Sequence, residues 1–487
     1  MTRASDRLWL GVPCVALLVA CSSSAQPSAP PPPTIAAADA ATDAPAAPTL
    51  KAPPIEPPPA EPPAPAPRRL RLDSPRTDAE LPTTSCDIYL RNAQSNLEAR
   101  QKALQQQPDN PFHHLNYGSS LFTVGQLYGN LDMVAQAEEV ATRGLAKDPR
   151  NVSLLELRSE ARGARHRFED ALADLELART LAPPQRHADL DFAIANVHYQ
   201  LGRYDDAVPL LLRRVVDRPS FSSQNRAAIV YLQTGNVEQA RRHFAMAESM
   251  YKDTSPIPLS WLNVQRGLLE MHAGNYELAH TFFEEAWRRC PTYPMAKEHL
   301  AEIEGRLGHL DRSIALYGEV VSQTSNPEYI AALGEAWEKK GEPAKAAEMF
   351  RFAKNKNEQL LARHPDAMYW HAAAFYLGPG KDPAKALTLL TKNAKLRPTG
   401  NAWAALADAH LALGKPKEAS VSIDKALASP LDLPELHWTA ARVYKALGDQ
   451  KISDEHKALA LAANPKIADL EGDLDPPEDA PAANATP

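Results

Sequence analysis

Cysteine and histidine have the widest chemical reach of the side chains here, as nucleophiles, acyl acceptors, proton carriers and metal ligands. The 487 residues include four cysteines, at 14, 21, 86 and 290, and 15 histidines. Their spacing fits no metal or catalytic pattern. His113 and His114 are adjacent, so on a helix they point to different sides and cannot share an ion. His364, His371 and His410 are scattered. HExxH, CxxC, CxxCH and GxSxG do not occur. Gly378-Pro379-Gly380-Lys381 lacks both the GxxxxGK spacing of a phosphate-binding loop and the Ser or Thr after the lysine. The expectation is therefore a protein that is not an enzyme, with no catalytic residue, no metal ligand and no cofactor. One cysteine stands out by position: Cys21 directly follows an apolar run and precedes three serines.

The elements around Cys21 explain that placement. Arg3 and Arg7 make a short basic start, and Leu8 to Ala20 is an uncharged apolar segment. It is too short to span a bilayer comfortably, for which about 20 residues are needed. It fits the hydrophobic stretch of a secretory signal. Leu18-Val19-Ala20-Cys21 resembles the lipobox of bacterial lipoproteins. The resemblance implies cleavage before Cys21, attachment of diacylglycerol to its thiol and acylation of the new N-terminus. Two or more acyl chains anchor stably where one does not. Cys21 is thus the expected lipidation site, palmitate a typical acyl group, and Cys14 leaves with the signal. Ser22 stands where an Asp would imply inner-membrane retention, which favours the outer membrane.

Residues 26–67 hold 16 prolines among 42 residues. Proline fixes φ and lacks an N–H, so neither helix nor sheet propagates. Such a tract favours polyproline II and, fully extended, reaches roughly 130 Å at ~3.1 Å per residue. The stretch after Pro465 is acidic and proline-rich and is expected to be disordered. Between the two, hydrophobic residues at 44% overall suffice for a real core, and net charge −7 without any basic block argues against nucleic acid.

That central part repeats. Gly274, Tyr276, Ala279, Phe283, Ala286 and Pro291 find counterparts in Gly202, Tyr204, Ala207, Leu211 and Pro219, and again in Gly235, Val237, Ala240, Phe244 and Ala247. The alanine-type position recurs at 137, 171, 207, 240, 279, 313, 346, 386, 419 and 453. Small residues at such positions let two helices cross closely. Glycine supplies the left-handed turn between them, and proline stops the second helix. The pattern resembles the tetratricopeptide repeat, a 34-residue helix–turn–helix unit. Its A-x3-F element stands as Ala240/Phe244, Ala279/Phe283 and Ala346/Phe350, and its leading tryptophan as Trp370 and Trp403. The resemblance covers about residues 112–465 in some ten units. It implies an all-α, right-handed superhelical solenoid whose stability is roughly a nearest-neighbour sum. The domain reading is a signal peptide (1–20), the lipidated Cys with its tether (21–83), the array with a capping helix over Asp87–Gln107 (84–465), and the tail (466–487). Three irregularities interrupt the array: an insert around 126–133, a second helix extended to Arg363, and a turn replaced by residues 378–383.

In this family the first helices line a concave, ligand-binding side. Here the expected peptide-binding positions are Asn196, Gln200, Asn225, Arg226, Gln233, Trp261 and Gln265, beside Phe192. Farther along stand Glu298, His299, Glu302, Glu335 and Glu338. The carboxylate clamp of chaperone-binding members is matched only by Asn196, so that specificity is not implied. The functional expectation is a lipid-anchored scaffold of the bacterial cell envelope, most naturally at the outer membrane. It would bind a protein partner in its groove and reach the membrane through lipid, with assembly of an envelope machine such as a pilus, secretion or barrel-assembly system as the expected setting. The alternative is a non-catalytic accessory subunit of peptidoglycan or polysaccharide handling that binds glycan, stacking it on Trp261, Trp370, Trp403 and Trp438 where these are exposed, although the last three are expected to pack between helices. Cys86 precedes the array and Cys290 ends its fifth unit. With packed helices about 10 Å apart, two unpaired thiols are expected.

Overall fold

The computed structural model describes residues 70–472 and 474. The signal segment, Cys21, the proline tract and most of the acidic tail lie outside the described residues. Among the described residues there are helices and turns and no strand. A leading helix, α1 (Cys86–Gln106), precedes ten pairs. These are α2 (Pro111–Tyr128) with α3 (Leu131–Lys147), α4 (Val152–Ala164) with α5 (Phe168–Leu181), and α6 (Pro184–Gln200) with α7 (Tyr204–Asp217). Next come α8 (Phe221–Gln233) with α9 (Val237–Met250), α10 (Pro256–His272) with α11 (Tyr276–Arg289), and α12 (Pro294–Arg306) with α13 (Leu310–Thr324). The last four are α14 (Pro327–Lys339) with α15 (Pro343–Arg363), α16 (Pro365–Leu377) with α17 (Pro383–Leu396), α18 (Gly400–Ala412) with α19 (Pro416–Leu427), and α20 (Pro434–Leu447) with α21 (Gln450–Ala463). A short α22 (Ile467–Glu471) follows.

The fifth pair shows how the sequence makes a unit. Pro256 opens α10 at its first turn, where a missing N–H costs nothing. Gly274 then holds φ at 77°, a left-handed value that suits glycine, and α11 returns. Gly267 of α10 faces Phe283 of α11 so closely that a Cβ would stand 2.6 Å from the ring's Cδ1. Phe283, Ala279 and Ala286 are fully buried between the helices. Prolines that read as stops also work as starts: Pro327 opens α14 rather than merely ending α13. The expected insert at 126–133 is instead helix, because α2 continues to Tyr128 and only Gly129 and Asn130 form the turn. The expected long helix is present as α15, which runs to Arg363.

Stacking continues beyond nearest neighbours. Turns within the early pairs lie against loops that join late pairs. His364 Nε2 lies 2.7 Å from Asp132 at the start of α3, and Arg363 pairs with the same carboxylate. Arg397 donates from Nη2 to Gln200 Oε1 at 2.6 Å, and its guanidinium sits 5.0 Å from the Phe168 ring centroid. The Asp432 N–H donates to the Gln233 carbonyl at 2.9 Å. Lys466 Nζ lies 4.4 Å from the Tyr276 ring centroid. The coil of helix pairs therefore closes on itself, turn on turn.

The same closure corrects the expectation for the cysteines. Cys86 and Cys290 form a disulfide, with Cα atoms 5.0 Å apart, inside the usual bridging range. A straight stack would hold these residues far apart; the coil brings α1 back beside the end of α11. The segment before α1 is strapped to the same place. Buried Arg289 donates to the carbonyls of Arg76 and Leu81 at 2.7 and 2.9 Å. Buried Arg266 donates to the Arg71 carbonyl at 2.7 Å and pairs with buried Glu248 at 3.2 Å. Thr84 N–H donates to the Thr254 carbonyl at 2.7 Å.

Candidate partner-binding cavity

Closure leaves a cavity of about 460 Å³ on the hollow side of the array. That size suits a few side chains of a peptide or one small molecule rather than a folded domain. One wall comes from early elements: Tyr128, Asp132, His166, Phe168 and Gln200. The opposite wall is built by α12, with Met295, Glu298, Glu302 and Arg306, and by α14, with Glu328, Glu335 and Lys339. Lys356 and Asn357 of α15, Met368, His371 and Phe375 of α16, and Arg397 complete it.

Charge in this lining is mixed and held under tension by burial. Burial, then the neighbouring Arg397 and His371, keep the His166 imidazole neutral, with its pKa well below the usual histidine range. Its ring stacks on His371, centroids 6.1 Å apart. Burial lowers the Arg397 pKa to about 10. At Glu302 burial opposes ionisation, but Arg306 and His299 outweigh it and hold the carboxyl at about 2. The cavity thus offers donors, acceptors and the apolar flanks of Met295, Met368 and Phe375. That is what an extended peptide requires of a surface.

Sequence reasoning and structure meet here unevenly. Of the seven expected groove residues, Gln200 lines the cavity, and Arg397 occupies its amide oxygen. Asn196 is buried and donates to the Phe192 carbonyl of its own helix. Asn225 and Trp261 are 0% exposed, and Arg226 is 1% exposed. Gln265 is buried, and half-buried Gln233 accepts from the Tyr199 hydroxyl. Leu127 and Tyr128 of α2, from the first pair, belong with Trp261, Leu262 and Val264 to one apolar cluster. Glu298, Glu302 and Glu335 do face the cavity, His299 is buried beside them, and Glu338 is exposed. The sequence reading misses Asp132, His166, Lys356, Arg363, His371 and Arg397. They come from turns and late units, and only the pitch of the coil, which no repeat signature encodes, brings them to the early units. Trp370 and Trp438 are buried in packing and Trp403 is half-buried, so these rings are not laid out as a sugar platform.

Glu156 and Glu160 lie one turn apart on α4, and Glu156 pairs with Arg186 at 2.6 Å. Burial first, and then the charge of Glu156, push Glu160 from 4.5 up to about 8. A carboxyl raised in the folded state holds a proton that the unfolded chain has lost. Stability therefore falls as pH rises from about 4.5 through about 8. Glu160→Gln is expected to stabilise the protein at pH 8.5 by roughly 2 kcal/mol and to give no advantage at pH 4.5. Thermal melts of both proteins at the two pH values check this.

Residues 158–223 and 192–256 match the model of the tetratricopeptide repeat family. No curated protein matches the sequence. Among solved structures the chain is similar to that of Naa15/Naa10 bound to HypK-THB, at 15% identity over 74% of this chain and 65% of that one, with TM-score 0.26. It thus spans slightly less than two thirds of that relative. It is also similar to a tetratricopeptide repeat protein from Parabacteroides merdae ATCC 43184, at 14% identity over 64% of this chain and 98% of that one, with TM-score 0.30. A third is the APC/C hetero-tetramer Cut9-Hcn1, at 12% identity over 79% and 92%, with TM-score 0.32. At these scores the likenesses carry no argument about geometry. The family match runs from within the second pair through the fourth, and the same small-residue helix crossings repeat through all ten: the chain is an all-α repeat solenoid that carries tetratricopeptide repeats over residues 158–256, a repeat that supports a protein-interaction scaffold.

Proposed function

We propose that the protein is a lipid-anchored scaffold of the bacterial cell envelope, tethered through Cys21, that holds an extended segment of an envelope protein in the cavity between α12, α14, α16 and the early turns. The observation that carries this reading is the cavity itself: its walls alternate charged, amide and apolar groups along the hollow side of a repeat array. The Cys86–Cys290 disulfide suits an oxidising compartment, and the signal-like N-terminus and proline tract suit export and a membrane-held leash. The outer membrane is the favoured location, on Ser22 after the lipidated cysteine.

Site-specific photo-crosslinking in cells tests the proposal. A crosslinker at Met368 is expected to trap one envelope protein, and one at exposed Val421 is expected not to. Labelling with radioactive palmitate is expected in the native protein and absent from Cys21→Ser. The reading falls if Met368 and Val421 give the same products, or if Cys21→Ser leaves labelling and membrane fractionation unchanged.

A further inference from the structure

We propose that Glu298, His299 and Glu302 bind one divalent transition-metal ion, with zinc the type, at a site open to the cavity. All three stand on α12; Glu298 and His299 are adjacent like His113 and His114, but the longer glutamate side chain reaches round the helix, and one donor atom of each of the three lies within 4.8 Å of the other two. His299 Nδ1 is 3.2 Å from Glu298 Oε2 and 3.2 Å from Glu302 Oε2. Donors about 2.0–2.2 Å from a tetrahedral zinc ion stand about 3.4 Å apart, so small side-chain rotations bring the three atoms onto one ion. An imidazole nitrogen with carboxylate oxygens suits zinc and its neighbours, whereas calcium and magnesium prefer oxygen alone.

The surroundings hold these donors in place. Glu298 and His299 are 2% and 1% exposed. The Phe283 ring stacks on His299, centroids 5.4 Å apart, and fixes the imidazole plane. Arg306 donates to Glu302 Oε1 at 2.8 Å, which orients the other oxygen, Oε2, toward His299. Such outer contacts orient metal ligands and tune them. Because Glu298 and Glu302 line the cavity, a fourth coordination position faces open volume. Zinc sites with three protein ligands use that position for water or an incoming group.

Two carboxylates this close, Glu298 buried and Glu302 partly buried, need compensating positive charge. Arg306 supplies part of it. A metal ion held between the two carboxylates and His299 Nδ1 supplies the rest. Motif searches pass over the site because its order is Glu-His-x-x-Glu. The inference does not depend on the cavity receiving a partner segment.

Equilibrium dialysis of the full chain against zinc chloride, with bound metal counted by mass spectrometry, tests the site. One saturable site per chain is expected. Glu298→Gln leaves the Arg306–Glu302 pair in place and is expected to weaken binding about 100-fold or more, above the 10–100-fold cost of losing an outer contact. Glu302→Gln is expected to do the same. Zinc should raise the melting temperature of the native protein and leave Glu298→Gln unmoved. X-ray absorption of the bound ion should show nitrogen and oxygen neighbours at about 2.0–2.2 Å and no sulfur at about 2.3 Å. A native protein without a saturable site overturns the proposal. So does a sulfur shell, or equal binding by the native protein and both variants.

Discussion

Gly267→Val is expected to destabilise the array by about 4 kcal/mol, above the usual 1–3 kcal/mol range of overpacking. Two contributions oppose each other at this site. Replacing a helical glycine ordinarily stabilises by up to about 1 kcal/mol, because glycine has more backbone freedom to lose. Here the new Cβ enters the space of the Phe283 ring, whose Cδ1 would be 2.6 Å away. Phe283 is itself 0% exposed between Ala279, Ala286 and the next unit, so the ring has nowhere to go. The clash dominates, and α10 must separate from α11. Gly318 is the internal control. It is helical and exposed, with nothing within 4 Å of an added Cβ. Gly318→Ala is expected to stabilise by about 0.5–1 kcal/mol. Urea unfolding followed by helical circular dichroism measures both. A Gly267→Val protein as stable as the native one would remove close helix crossing as the basis of the unit.

Loss of the Cys86–Cys290 bridge is expected to cost 2–5 kcal/mol, the range for native disulfides. The bridge joins residues 204 apart in sequence, which places a large restraint on the unfolded chain; the chain-entropy model puts loops of that size at about 5 kcal/mol. Cys86 and Cys290 are both buried, so opening the bridge also places thiols in a packed apolar cluster. Cys86→Ser should lower the urea midpoint, and reducing agent should lower the native midpoint by a similar amount while leaving Cys86→Ser unchanged. An unchanged midpoint on reduction would mean that α1 does not restrain the fifth unit.

What the sequence reveals is set by the range of each interaction. Gly267 opposite Phe283 is readable, because both residues belong to one unit and the spacing repeats down the chain. The long α15 is readable because its apolar positions continue past the expected end. Cys86 with Cys290, Asp132 with His364 and Gln200 with Arg397 are not readable. Each pair joins residues roughly 200 apart, and its existence depends on small rotations accumulated over several units. The candidate groove suffers from the same blindness. Trp261 is fully buried, in a cluster that also takes in Leu127 and Tyr128 from the first pair. Glu298, His299 and Glu302 are readable as neighbouring positions of one helix, but not as a ligand set, because their order matches no metal motif.

The strap at residues 71–84 and the bridge at Cys86 also determine how the molecule answers to pulling. A tug arriving from the N-terminal side first meets backbone carbonyls gripped by Arg266 and Arg289. Once these give way, the strain passes through sulfur into Cys290 rather than along α1. The 204-residue stretch between the two cysteines is shunted out of the line of tension, so the first five helix pairs cannot be unravelled one after another from that end. In single-molecule extension, the early units should keep their shape until the bond is reduced.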